Sequence, residues 1–193
     1  MGSVLSIAIW RLKCALNWAM VYSGAAHRYE WRHYFGHSNA ITPGETPEPV
    51  LKMIALAAGF RSGMRVLDLG CGRGTALAYW SMVYGIQPIG IERVRSVAHA
   101  ARLLLKSIIA TSEILTGDFF GIVWPEVDAV VVSTTCFSAQ DLDQLMHRYR
   151  QLPTGTVVVQ ISNDVPMNEL KCIWRGSHRF PWGNCPISVF RCV

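Results

Sequence analysis

Three acidic residues stand where three apolar runs end, and their surroundings suggest chemistry. Val66-Leu67-Asp68-Leu69 runs into Gly70-Cys71-Gly72-Arg73-Gly74, Gln87-Pro88-Ile89-Gly90-Ile91 closes on Glu92, and Ser112 to Thr116 leads to Gly117-Asp118-Phe119-Phe120. A short apolar run bounded by turn residues reads as a buried parallel strand. Glycines after the first run let the backbone turn tightly and come close to a ligand without a Cβ in the way. The step from Gly70 to Glu92 is close to the roughly 20-residue offset at which a strand-end acid meets ribose hydroxyls. A carboxylate has two oxygens to offer a vicinal diol. A solvated acid at Glu92 and a helix cap at Asp118 are the plainer accounts of the same residues.

The elements that must hold these acids follow from the pattern between them. Val127 to Thr135 and Thr156 to Ile161 read as further strands, and helical spacing predicts helices over Val50–Ala58, Ala76–Tyr84, Val94–Thr111 and Ala139–Gln151. Gly59 is placed to end the first of these, after the proline-rich loop from Asn39 to Pro49. Alternation of this kind predicts a parallel sheet with right-handed crossovers. Asn168–Trp174 and Pro186–Cys192 read as a closing antiparallel pair at its edge.

At 193 residues the chain is one domain by size, and 51% hydrophobic with 16% charged residues lies on the apolar side. A net charge of +5 fits an acidic partner: nucleic acid, anionic lipid or an acidic protein surface. Six cysteines without a C-x-x-C pair argue against a zinc module or a disulfide framework, so no metal site is expected. Residues 4–22 are nearly all apolar but carry Arg11 and Lys13 mid-run, which makes a membrane span expensive. A helix packed on the domain, a membrane-surface anchor and a span all stay open there. The interleaved rings and bases of His27 to His37 suit either a pocket cover or an amphipathic connector.

With no phosphate-seeking lysine in its glycine loop, this strand order resembles the class I (Rossmann-like) S-adenosylmethionine-dependent methyltransferases. Gly44-Glu45-Thr46, the helix with Met53-Ile54, Asp68-Leu69-Gly70 with Gly72, Gly90-Ile91-Glu92, Gly117-Asp118-Phe119 and Trp182-Gly183-Asn184-Cys185-Pro186 look like the non-SET lysine methyltransferases named for disruption of telomeric silencing. The resemblance implies an α/β fold: a Rossmann-like, doubly wound, mostly parallel seven-stranded-type sheet with an antiparallel edge strand. Residues 1–38 would be an N-terminal helical extension and residues 39–193 the methyltransferase domain. It implies S-adenosyl-L-methionine as cofactor, held by Glu45, Thr46, Asp68, Gly70, Cys71, Gly72, Glu92, Gly117, Asp118, Phe119 and Thr134. Asp118 would take the adenine amino group with Phe119 on the ring, while Glu45 and Asp68 serve the amino-acid end. An intracellular, cytoplasmic enzyme is the expected setting.

Where that family carries an Asn-Asn-Phe sequence this chain has Thr134-Thr135-Cys136-Phe137, and Val189 replaces a tyrosine. For an amine acceptor the nucleophile must be neutral, and an apolar aromatic channel lowers a lysine pKa toward that state. Phe137, Trp182 and Phe190 are the candidate walls, with Thr134 and Thr135 orienting the acceptor; solvent can take the proton. Three functions remain: a protein-lysine methyltransferase, a small-molecule or lipid methyltransferase, and a non-catalytic cofactor-binding subunit.

Overall fold

The computed structural model describes residues 4–23, 45–163, 168–181 and 183–193. Its centre is a sheet of seven strands among the described residues: β1 (Arg65–Leu69), β2 (Gln87–Glu92), β3 (Glu113–Thr116), β4 (Ala129–Ser133), β5 (Val157–Ile161), β6 (Leu170–Phe180) and β7 (Gly183–Cys192), in the spatial order β3-β2-β1-β4-β5-β7-β6. The first five run parallel, β7 runs antiparallel between β5 and β6, and β6 forms the edge. The closing pair is longer than the sequence suggests, because its pairing continues to Phe180↔Gly183. The third strand is shorter: the positive φ of Gly117 (+151°) turns the chain before Asp118.

Strand periodicity separates two cores. Val66, Ala129, Val131, Val157 and Val159 face α2 (Glu48–Ala58), α3 (Thr75–Tyr84) and α4 (Arg95–Lys106). Leu67, Leu69, Val130, Val132 and Val158 face the other way, toward Leu145 and Tyr149 of α5 (Ala139–Tyr149). Ser138 starts α5 with a reciprocal cap, its side chain accepting from the Asp141 N–H while the Asp141 carboxylate accepts from the Ser138 N–H.

The N-terminal apolar run is one helix, α1 (Val4–Ser23), laid over α3 and α4. Trp10 joins the core at 9% exposure, stacks edge-on to Tyr79 and donates its indole N–H to the Thr75 carbonyl at 2.9 Å. No helix among the described residues is long and apolar enough to cross a membrane. The segment from His27 to His37 lies outside the described residues.

Candidate functional site

The parallel strands end together, so topology alone gathers the acids that the sequence spaced apart. Gly70 and Gly72, at φ +75° and +55°, carry the chain off β1, and a Cβ added to either would meet nothing within 4 Å. Both positions therefore look onto open space. The N–H groups of Gly70 and Cys71 donate to the Ile91 carbonyl at 2.8 and 3.1 Å, which ties the loop to β2. Glu92 completes the tie. One of its carboxylate oxygens accepts from the Gly72 N–H at 3.0 Å and the other from the Val94 N–H at 2.8 Å. Burial pushes its pKa up, against those two N–H groups and the charge of Arg93.

Asp68 is half-buried one strand away, and among the described residues no donor bonds its carboxylate. Desolvation first, and the Glu92 charge second, push its pKa to about 7. Two carboxylates thus stand beside a side-chain-free bend, one holding the loop and one left for a ligand.

Cys71, expected among the cofactor residues, faces inward. Its thiol points into the core at 7% exposure, and its N–H is spent on Ile91. It fits only because β2 has glycine opposite: a Cβ on Gly90 would fall 2.5 Å from Cys71 Sγ and 2.7 Å from Ile114 Cδ1. Gly90 is a packing residue that makes the loop's position feasible.

Glu45 reaches the glycine loop through an ion pair with Arg73, whose side chain is buried. Arg73 also donates toward the Cys14 carbonyl at 3.4 Å and Asn17 Oδ1 at 3.5 Å, so α1 touches the same loop from above. Thr46 follows Glu45, half-buried, just ahead of α2. The sequence reading missed Arg73 and Asn17. The only signal was an arginine among glycines.

Past β3, Gly117 donates its N–H to the Glu92 carbonyl at 3.0 Å, and Asp118 bends the chain by accepting from the Phe120 N–H at 2.9 Å. That bond occupies Asp118 Oδ1 and leaves Oδ2 for a ligand. Phe119 lies nearly parallel to Phe137, centroids 5.9 Å apart, with Phe120 packed on both. The Phe119 carbonyl is pinned by the Trp124 indole at 2.8 Å and Arg148 at 3.3 Å. The structure therefore brings a candidate adenine neighbour and a candidate channel wall into one cluster.

At the ends of β4 and β5, Thr134, expected among the cofactor and acceptor residues, turns its hydroxyl into the protein. It is fully buried, and its hydroxyl donates to the Ile161 carbonyl at 2.9 Å while accepting from the Asn163 N–H at 2.9 Å. Those bonds clamp the two strand ends and leave no hydroxyl for a cofactor or an acceptor. Thr135 is exposed and shares hydrogen bonds with Ser162 Oγ at 2.7 Å and Ser133 Oγ at 3.1 Å. Ser162 has φ +86°, uncommon for a residue with a side chain, and such strain collects at functional sites. Ser162 and Ser133 were not singled out from sequence, although serine beside asparagine after a strand is a turn signal. Trp182 lies outside the described residues. Phe190, a candidate channel wall, is buried in the core, 3% exposed.

A family model described as methionine biosynthesis protein MetW matches residues 51–161, more than half of the chain. The chain belongs to the MetW family. The matched span holds the glycine loop, Glu92, Asp118 and the β4 end, and it excludes Glu45 and Trp182. A comparison with curated proteins gave no match. Among solved structures, an RNA methyltransferase from Salinibacter ruber in complex with S-adenosyl-L-homocysteine superimposes with TM-score 0.64 at 21% identity, covering 77% of this chain and 93% of that one. MtNAS in complex with MTA and tNA gives TM-score 0.62 at 17% identity, covering 92% of this chain and 69% of that one. A SAM-dependent methyltransferase from Thiobacillus denitrificans in complex with S-adenosyl-L-homocysteine gives 0.52 at 24%, over 68% and 56%. At such identities the likeness is one of fold. This MetW-family chain has the Rossmann-like methyltransferase fold.

Its residues fit the cofactor of that fold. Gly70 and Gly72 leave open space, Glu92 is fixed at the strand end, and Asp68 offers a carboxylate without a donor among the described residues.

Proposed function

We propose that this chain transfers a methyl group from S-adenosylmethionine to a neutral amine nitrogen, in first place the side-chain amine of a protein lysine. It is an S-adenosylmethionine-dependent methyltransferase. One observation carries the cofactor half: Glu92 spans the Gly72 and Val94 N–H groups beside the open bend.

Bound there, the cofactor supplies a methyl carbon on a positively charged sulfur. Glu92, immobilised by two N–H donors, keeps lone pairs for ribose hydroxyls. Asp68, on the strand that runs into the glycine loop, and Glu45, paired with Arg73 of that loop, are the carboxylates for a cationic amino-acid end. Asp118 Oδ2 and Phe119 suit the adenine amino group and ring face. On the acceptor side the rings of Phe119, Phe120 and Phe137 keep water away, which favours the uncharged amine. The exposed hydroxyl of Thr135 is the group placed to orient it. Bringing the nitrogen within about 3–3.5 Å of the methyl carbon supplies most of the rate enhancement, and the proton leaves to solvent.

A small-molecule or lipid acceptor is the second reading. The Ser133–Thr135–Ser162 hydroxyls favour it, since they suit a polar small acceptor without a peptide channel. Incubation of the protein and methyl-labelled cofactor with lysate separates the readings. Label in protein bands supports the lysine acceptor, label in organic extract the second reading, and label in nucleic acid overturns both. Binding without any transfer would leave a cofactor-binding subunit.

A further inference from the structure

α1 has two faces of unlike character. Its inner face is fixed on the domain by Trp10 on the Thr75 carbonyl at 2.9 Å, by Asn17 Nδ2 donating to the Ala100 carbonyl at 2.8 Å, and by Lys13 on the Ser107 carbonyl. Its outer face is apolar and exposed. Val4 is 87%, Leu5 67%, Leu12 62% and Leu16 60% exposed, and the exposed alanines 8, 15 and 19 lie between them. Spacings of three and four residues put these side chains in one continuous stripe.

We propose that this outer stripe seats the protein on the surface of an anionic lipid bilayer. The charge arrangement selects that occupant. Arg11 and Lys13 are two positions apart, about 200° around the helix, so they stand at the two margins of the stripe. Arg11 remains 69% exposed while bonded to Glu48. Basic residues at both margins of an apolar face are how an interfacial helix lies in the headgroup layer. The sequence from Val4 to Ser23 contains no acid, and the chain as a whole carries +5. Arg11 is already offset by Glu48, but Lys13 meets only a neutral carbonyl, and a second copy facing this stripe would bring it no acid from its own α1. Anionic headgroups complement the charge of Lys13, which no acid offsets, and can share the exposed Arg11 guanidinium with Glu48. A span would break the bonds of the inner face to α3 and α4 and would put Arg11 and Lys13 in the hydrocarbon.

The seat is independent of the acceptor and of the cofactor. Its test is co-sedimentation of the full chain with vesicles of phosphatidylcholine alone and of phosphatidylcholine mixed with phosphatidylglycerol. Expected is binding to the anionic vesicles, weakened by added salt, and reduced at least about tenfold in the Leu12→Glu/Leu16→Glu double variant. Both substitutions sit in solvent, so circular dichroism and calorimetric cofactor titration should match the parent chain. Absence of binding to anionic vesicles overturns the proposal, as does equal binding by the double variant. A concentration-dependent dimer that the double variant abolishes would overturn it too, giving the stripe to a second copy.

Discussion

The strand ends on the two sides of β1 are held by different kinds of bond. On the β2 side, Glu92 collects backbone N–H groups on both oxygens, and charge fixes the loop. On the β4–β5 side, neutral groups hold one another: Thr134 clamps Ile161 and Asn163, and Thr135 meets Ser133 and Ser162. Charge-assisted bonds are shorter and roughly twice as strong as neutral ones. The β2 side is thus the more firmly held of the two, and it is where the proposed cofactor seat lies, with Asp68 beside it. The β4–β5 side is a scaffold with an exposed fringe whose details can change with the acceptor.

The strongest way to break this contrast is to remove Glu92. Glu92→Ala loses two charge-assisted bonds to the loop as well as the ribose acceptor, and cofactor affinity should fall about a thousandfold, ~4 kcal/mol. Calorimetric titration with S-adenosylhomocysteine measures it. An unchanged dissociation constant would mean that the β2 side is no seat at all.

Asp68 gives the next largest effect, through pH. Its folded pKa of about 7 lies above the ordinary 3.8, so the native chain keeps a proton that the unfolded chain releases. The unfolded state binds fewer protons between about pH 4 and 7, and unfolding free energy must fall as pH rises through that window. The full shift sets a ceiling of ~4 kcal/mol, and partial exposure brings the expected difference to about 2–3 kcal/mol. Urea unfolding at the two ends of the window should show that slope in the parent chain and a flatter one in Asp68→Asn. The same proton opposes a cationic ligand, so cofactor binding should tighten as pH rises toward 8. Affinity that is flat in pH would remove Asp68 from the site.

The β2 side was legible in the sequence and the β4–β5 side was not, for a physical reason. Asp68, the glycines and Glu92 take their places through residue type and strand position, and both are written in the chain: an apolar run, an acid, a residue without Cβ. Thr134 and Thr135 are adjacent and identical in type. Only the pleat decides that one hydroxyl is buried against β5 and the other faces out. Which partner a neutral hydroxyl finds depends on the register of β5, and no motif records that. Arg73 was illegible for a similar reason, since its burial depends on where α1 lands. The stretches that suggested the lysine family, around Glu45 and Trp182, fall outside the span matched to the MetW family. The fold was readable throughout because alternation of strands and helices does not depend on those details.

Splitting the two threonines sharpens the contrast within the β4–β5 side. Thr134→Val leaves the Asn163 N–H without its acceptor in a buried place and should cost about 2 kcal/mol of stability. Cofactor affinity should change less than about twofold, since the hydroxyl touches only protein. Thr135→Ala should leave stability within ~0.5 kcal/mol, because the site is exposed. Methyl transfer at saturating cofactor should fall instead, by about tenfold for one lost orienting bond (~1.4 kcal/mol). Denaturation and turnover measured on both variants test the division. The opposite pattern would make Thr134 the acceptor-side residue.

The smallest effect, and the finest probe, is at Ser162. A left-handed backbone costs a residue with a side chain about 1–2 kcal/mol, whereas glycine adopts it freely but loses roughly 0.5–1 kcal/mol more entropy on folding. Ser162→Gly also gives up the exposed bond to Thr135, so the net gain should be at most about 0.5 kcal/mol. For a domain of this size that is a rise of ~1–2 °C in melting temperature. Ser162→Ala keeps the strain, loses the same hydroxyl and should melt slightly below the parent. If the serine is retained for its hydroxyl, both variants lose transfer activity equally while their melting temperatures move apart. If only the backbone turn matters, Ser162→Gly keeps full activity, and the hydroxyl cluster is a strand-end fastening with no part in holding an acceptor.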